Sequence, residues 1–189
     1  MAQINEAFIL PGLVPANNLL LEQGTYIALI YATYRPPHLA LLIEGKLFSL
    51  SIKGPKPDMP LGLQLRAIQS RKIPTVFLQL KTALYLHNNQ LFKAAHTHTM
   101  GYSRVEVGVA TCLSPIKNFC ASVFNLDSSR METIFDLLPI LYQKKLVVSA
   151  LQYNMEPYLK EGNFCLKPYS MQDIYNSIVQ SEGLLVCQF

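Results

Sequence analysis

No apolar stretch in the 189 residues approaches the roughly 18 that a membrane span needs, so a membrane-spanning chain is not expected. Charge is scarce too: 15% of the residues are charged and 50% are hydrophobic, which excludes a disordered polyelectrolyte and predicts a globular protein with a thinly charged surface. Such a surface points to a greasy groove, a homo-oligomer contact or a lipid-like ligand. The 16 basic and 12 acidic side chains leave +4, but the lysines and arginines are scattered and form no basic block, which argues against a nucleic-acid partner. Met1 to Glu6 shows no basic region leading into an apolar core and a small-residue cleavage site. No export signal is therefore expected, and with it a cytoplasmic location. Cys112, Cys120, Cys165 and Cys187 have no C-x-x-C spacing, which predicts free thiols rather than a disulfide framework. Internal repeats and low-complexity tracts are missing.

The length suits one domain spanning 1–189 with a real hydrophobic core. Thr25 to Ala32 is β-branched, aromatic and apolar and reads as a buried strand. His38 to Glu44 reads as a second, Glu44-Gly45-Lys46 as a hairpin turn, and Leu47 to Ile52 as a third, an antiparallel meander. The prolines at 55, 57 and 60 predict a loop from Lys53 to Pro60, with Asp58 capping a helix over Leu61 to Arg71. Thr75 to Leu80 reads as a fourth strand, and Thr82 caps a helix running to about Ala95 with Leu84 and Leu91 on one side. Tyr102 to Cys112 reads as a loop or edge segment. Ser129-Arg130-Met131-Glu132 is a capping-box pattern ahead of an apolar helix that Pro139 should kink or split. Leu146 to Gln152 is compatible with strand or helix, Asn163 to Lys167 with a strand, Ser170 to Asp173 with a helix start, and Gly183 to Phe189 with a closing strand. The predicted class is α+β, an antiparallel sheet packed against helices.

The chemistry is concentrated at Lys117-Asn118-Phe119-Cys120-Ala121-Ser122, with Pro115 just ahead. A cysteine on the first turn of a buried helix meets unpaired backbone N–H groups and the positive end of the helix dipole, both of which favour a thiolate. The plausible base upstream is His38, at the head of His38-Leu39-Ala40-Leu41-Leu42-Ile43. Taken by residue type alone, such a cysteine is more often a small buried hydrophobe, and a histidine heading an apolar strand more often a structural one. His96-Thr97-His98 invites a metal reading only if the segment is a strand, where alternate residues share a face; on a helix they diverge, and no second ligand pair stands out.

The order of parts, a strand led by His38, a hairpin at Gly45, a third strand, the segment Leu63 to Leu80, and Asn118-Phe119-Cys120-Ala121-Ser122 on a helix, resembles the circularly permuted branch of the NlpC-type, papain-like cysteine hydrolases. That branch includes YiiX-like bacterial proteins and relatives of lecithin:retinol acyltransferase. Leu166-Lys167-Pro168-Tyr169-Ser170 resembles the closing segment of the YiiX-like group. The resemblance implies a permuted papain-like domain in which Cys120 is the nucleophile and His38 the base. It also implies a polar third residue on the following strand to orient the imidazole, for which Ser49 is the available residue, a hydroxyl in place of the usual His, Glu or Gln. Tyr102 is a candidate for lining the substrate groove.

The implied reaction is hydrolysis or acyl transfer on an amide or ester, of a small peptide or lipid-like substrate, through a thioester acyl-enzyme and without metal or cofactor. The competing expectation is a non-catalytic binding module that keeps the groove for a peptide or lipid-like ligand. Cys112, Cys165 and Cys187 read as structural.

Overall fold

The structure is a computed structural model that describes residues 6–82 and 86–186, the last four by their backbone alone. Its elements in chain order are β1 (Phe8–Leu10), β2 (Leu13–Pro15), α1 (Asn18–Gln23), β3 (Thr25–Ile30), β4 (His38–Ile43), β5 (Lys46–Ser51), β6 (Gly54–Pro60), α2 (Leu61–Ser70), β7 (Thr75–Leu80), α3 (Asn88–Met100), α4 (Ser114–Phe124), α5 (Ile134–Gln143), β8 (Val147–Tyr153), a single 3₁₀ turn (Glu156–Tyr158), β9 (Phe164–Leu166) and α6 (Met171–Val186). The class is α+β. Seven strands form one sheet in the order β2-β8-β7-β3-β4-β5-β6, and β1 pairs with β9 in a separate two-stranded sheet. Every pairing in the large sheet is antiparallel except β2 with β8.

The expected meander is there: Tyr26 to Ile30 sit opposite Leu42 to His38, and Ala40 to Ile43 opposite Ser49 to Lys46. Period-two alternation then sorts the side chains to two faces. Leu39, Leu41, Ile43, Phe48 and Leu50 join the larger core with α3, α4, α5 and α6, while Ala40, Leu42 and Leu47 join a smaller core beneath α1 and α2. His38, Ala40 and Leu42 alternate together, so the histidine starts its strand on the α2 side.

Several expectations are corrected by local physics. Residues 54–60 form an edge strand rather than a loop, because β6 lies at the sheet margin, where a proline without an N–H removes no ladder hydrogen bond. Its register slips between Leu47 and Ser49, and Asp58 there adopts φ 59 and pairs with Lys46 at 3.2 Å instead of capping α2. The helix after β7 starts at Asn88, where His87 and Gln90 form the capping box, not at Thr82, whose hydroxyl donates to Thr25 at 3.1 Å. Leu84 lies outside the described residues. The capping box of α5 is Thr133 with Asp136, not Ser129 with Glu132, and Pro139 is accommodated inside the helix. Segment 146–152 resolves to strand β8, and residues 183–186 continue α6 rather than begin a strand; residues 187–189 lie outside the described residues.

Candidate active site

The thiol expected at a helix start is not there. Cys120 lies two turns inside α4, is 0% exposed and belongs to the main hydrophobic core. Burial pushes its thiol up to about 12, far from a nucleophile's range. It borders neither of the two cavities that His38 borders. The expected pairing of Cys120 with His38 is therefore not made by the fold: on the inward stripe of an apolar helix a cysteine packs as a hydrophobe.

A second cysteine, Cys112, lies just ahead of α4, in the turn that leads into it. The Leu113 N–H donates to the Thr111 hydroxyl at 3.2 Å and the Thr111 N–H donates to the Ser114 hydroxyl at 2.9 Å, a pair of bonds that closes this turn. Cys112 sits inside it, two residues before Ser114, where α4 begins. Backbone N–H groups of Leu39, Cys112 and Leu113 pull its thiol down, but burial outweighs them and the net shift is upward. The Leu39 N–H belongs to the residue after His38, so the thiol sits against the opening of β4. Tyr169, whose phenol is itself raised chiefly by burial, also feels this thiol.

Cys112 and His38 line one cavity of about 220 Å³ at the end of β4 and β5. Ile174, Ser177, Ile178 and Ser181 of α6 lie along its other side. Its lining contains no Asp, Glu, Lys or Arg. His38 also borders a second cavity of about 170 Å³ on the α2 side, together with Ser49, Ser51, Lys56 and Gln64. Burial, and then the positive charge of Lys56, lower the imidazole to about 4, so the ring is neutral near pH 7. Lys56 reaches this face because it is paired in register with Ser49.

Ser49 is thus brought to the same cavity as His38, as a third residue would be, but no hydrogen bond among the described residues joins the two. Tyr102 borders neither cavity: its hydroxyl accepts a hydrogen bond from the Asn118 amide at 2.7 Å and its ring packs on the main core, the ordinary role of a packed aromatic. His96 and His98 lie on α3, where residues two apart point roughly 200° from each other. The His98 ring instead lies 3.1 Å from the Ser122 hydroxyl.

The arrangement is a thiol in the turn ahead of a helix, set against the strand that a neutral imidazole heads. No family model, no curated protein and no solved structure matches the chain. Cys112 was missed because Thr111 and Ser114 were not read as a turn. That Thr-x-x-Ser pattern directly before Pro115 and Ile116 is the signal for a side-chain-bonded turn that holds Cys112 just ahead of the helix.

Proposed function

We propose that the protein is a cysteine hydrolase or acyltransferase acting on an amide or ester, with Cys112 as nucleophile in place of Cys120 and His38 as base. The observation that carries this reading is the shared cavity, lined by Cys112 from the turn just ahead of α4 and by His38 from the start of β4. Neutral His38 takes the thiol proton as Sγ forms its bond to the carbonyl carbon; the negative charge then goes to the carbonyl oxygen, within reach of N–H groups at the start of α4. Collapse expels the amine or alcohol, which leaves with the proton held by His38, and a thioester remains on Cys112. Water, or a second alcohol or amine, gives a proton to His38 and attacks the thioester carbon; the C–S bond breaks, the acyl group leaves as the acid, ester or amide, and the Cys112 sulfur takes the proton back from His38. A lining without charged residues suits an uncharged acyl group, since an ion would lose its hydration there without a partner. This favours lipid-like or apolar acyl compounds over charged peptides.

A second reading, a binding module, is favoured by the upward shift of the Cys112 thiol and by the placement of His38 with Ala40 on the α2 face. Iodoacetamide labelling at pH 7, quantified peptide by peptide, separates the two. The enzyme reading predicts that Cys112 alkylates at least tenfold more slowly in His38→Ala while Cys120 stays unlabelled in both proteins. An unchanged Cys112 rate in His38→Ala would leave only the binding module.

A further inference from the structure

A cavity larger than either of those at His38 lies away from the thiol. It encloses about 810 Å³ between the β1–β9 sheet, the β3–β4 loop and the segment around the 3₁₀ turn. Pockets that hold small organic ligands range over about 300–1,000 Å³, so this one has room for a ligand of ordinary size.

Its walls have two characters. The apolar part comes from Ile9, which is 63% exposed although it sits in a strand, from Pro157 and from the half-exposed Tyr158 ring; Ala32 and Phe164 border it but are buried in the main core. Ile9 is paired in register with exposed Cys165, so the outer face of the two-stranded sheet is the apolar floor. The polar part is rich in donors: Lys160 and Lys167 carry ammonium groups, and Thr33, Tyr158 and Asn163 add hydroxyl and amide N–H donors. Glu161 is the one carboxylate in the lining. Among the described residues neither lysine has an acidic partner within ion-pair distance; the ion pairs are Lys46 with Asp58 and Arg104 with Glu106.

An accessible apolar wall beside two unpartnered ammonium groups is complementary to a molecule with a hydrocarbon body and a single negative head. We propose that this cavity is a binding site for a single-chain amphipathic anion of the fatty-carboxylate class, with the chain against Ile9, Pro157 and Tyr158 and the head between Lys160 and Lys167. The site is separate from the Cys112 cavity, which contains no lysine. Exposed charge pairs are individually weak, so the hydrocarbon supplies most of the affinity and the lysines supply the preference for an acid.

The test is a fluorescence titration of the full chain with 11-(dansylamino)undecanoic acid and with its methyl ester. The site predicts saturable binding of the acid, binding of the ester five- to tenfold weaker, and loss of that difference in Lys160→Ala/Lys167→Ala. It also predicts weaker binding of both probes to Ile9→Gln, and wild-type behaviour in Lys53→Ala/Lys144→Ala, which removes two exposed lysines elsewhere. Absence of saturation, equal affinity for acid and ester, or an acid preference that survives the double lysine substitution would overturn the proposal.

Discussion

Acid should destabilise this protein through His38 in particular. The imidazole is held at about 4 in the folded chain by burial and by Lys56, against an ordinary value of about 6.5 when unfolded. Between those values the unfolded chain carries a proton on His38 that the folded chain does not, so folding releases a proton and stability rises with pH across the window. The contribution is intact above about pH 6.5 and is lost as pH falls towards 4. Protonating the ring at about 4 rather than about 6.5 costs at most about 3 kcal/mol, less in practice because a half-buried ring is partly relieved by water. His38→Gln cannot gain that proton. Urea melts from pH 7 to pH 4 should therefore show wild type losing about 2–3 kcal/mol more than His38→Gln, with m-values alike. His98, also lowered by burial, is common to both proteins and cancels in the difference. Parallel stability curves for the two proteins, or a His38 ring titrating above pH 6 by NMR, would refute the reasoning. Lys56→Met should recover part of the shift and move the ring's midpoint upward.

Three further outcomes follow from the packing. Cys120→Ser places a hydroxyl in the apolar interior and should cost about 1–3 kcal/mol in urea melts, while leaving the iodoacetamide rate of Cys112 unchanged. Thr111→Ala removes the oxygen that accepts from Leu113 and should cost about 1 kcal/mol, with a changed Cys112 labelling rate because the turn leading into α4 loosens. The Asn154 amide donates to Ile68 and Ile73 carbonyls, each at 3.1 Å, and its backbone has φ 58; Asn154→Ala should lower stability by about 2 kcal/mol in the same assay.

The meander was legible because it is written in short-range terms: β-branched and apolar runs at 25–30 and 38–43, with Gly45 at φ 73 in the turn where the left-handed region is required. Strand β6 was not, since its prolines argue against a strand everywhere except at a sheet edge, and edge position is a property of the whole topology. The same limit governed the candidate site. Cys120 and Cys112 stand on either side of the start of α4 at Ser114, one six residues inside the helix and the other two residues before it. His38 and Ser49 line one cavity, and His38 and Cys112 line another. Which thiol shares a cavity with His38 depends on where α4 begins and which face it packs inward, which period and propensity alone do not specify.

The central claim is that Cys112 is the residue that takes an acyl group. Wild type, Cys112→Ser, Cys120→Ser and His38→Ala would each be mixed with p-nitrophenyl hexanoate and followed by intact mass and peptide mapping. The account predicts one hexanoyl adduct on the peptide carrying Cys112 in wild type and Cys120→Ser, none in Cys112→Ser, and formation slowed at least tenfold in His38→Ala. An adduct confined to Cys120, or equal acylation of Cys112 with and without His38, would contradict it.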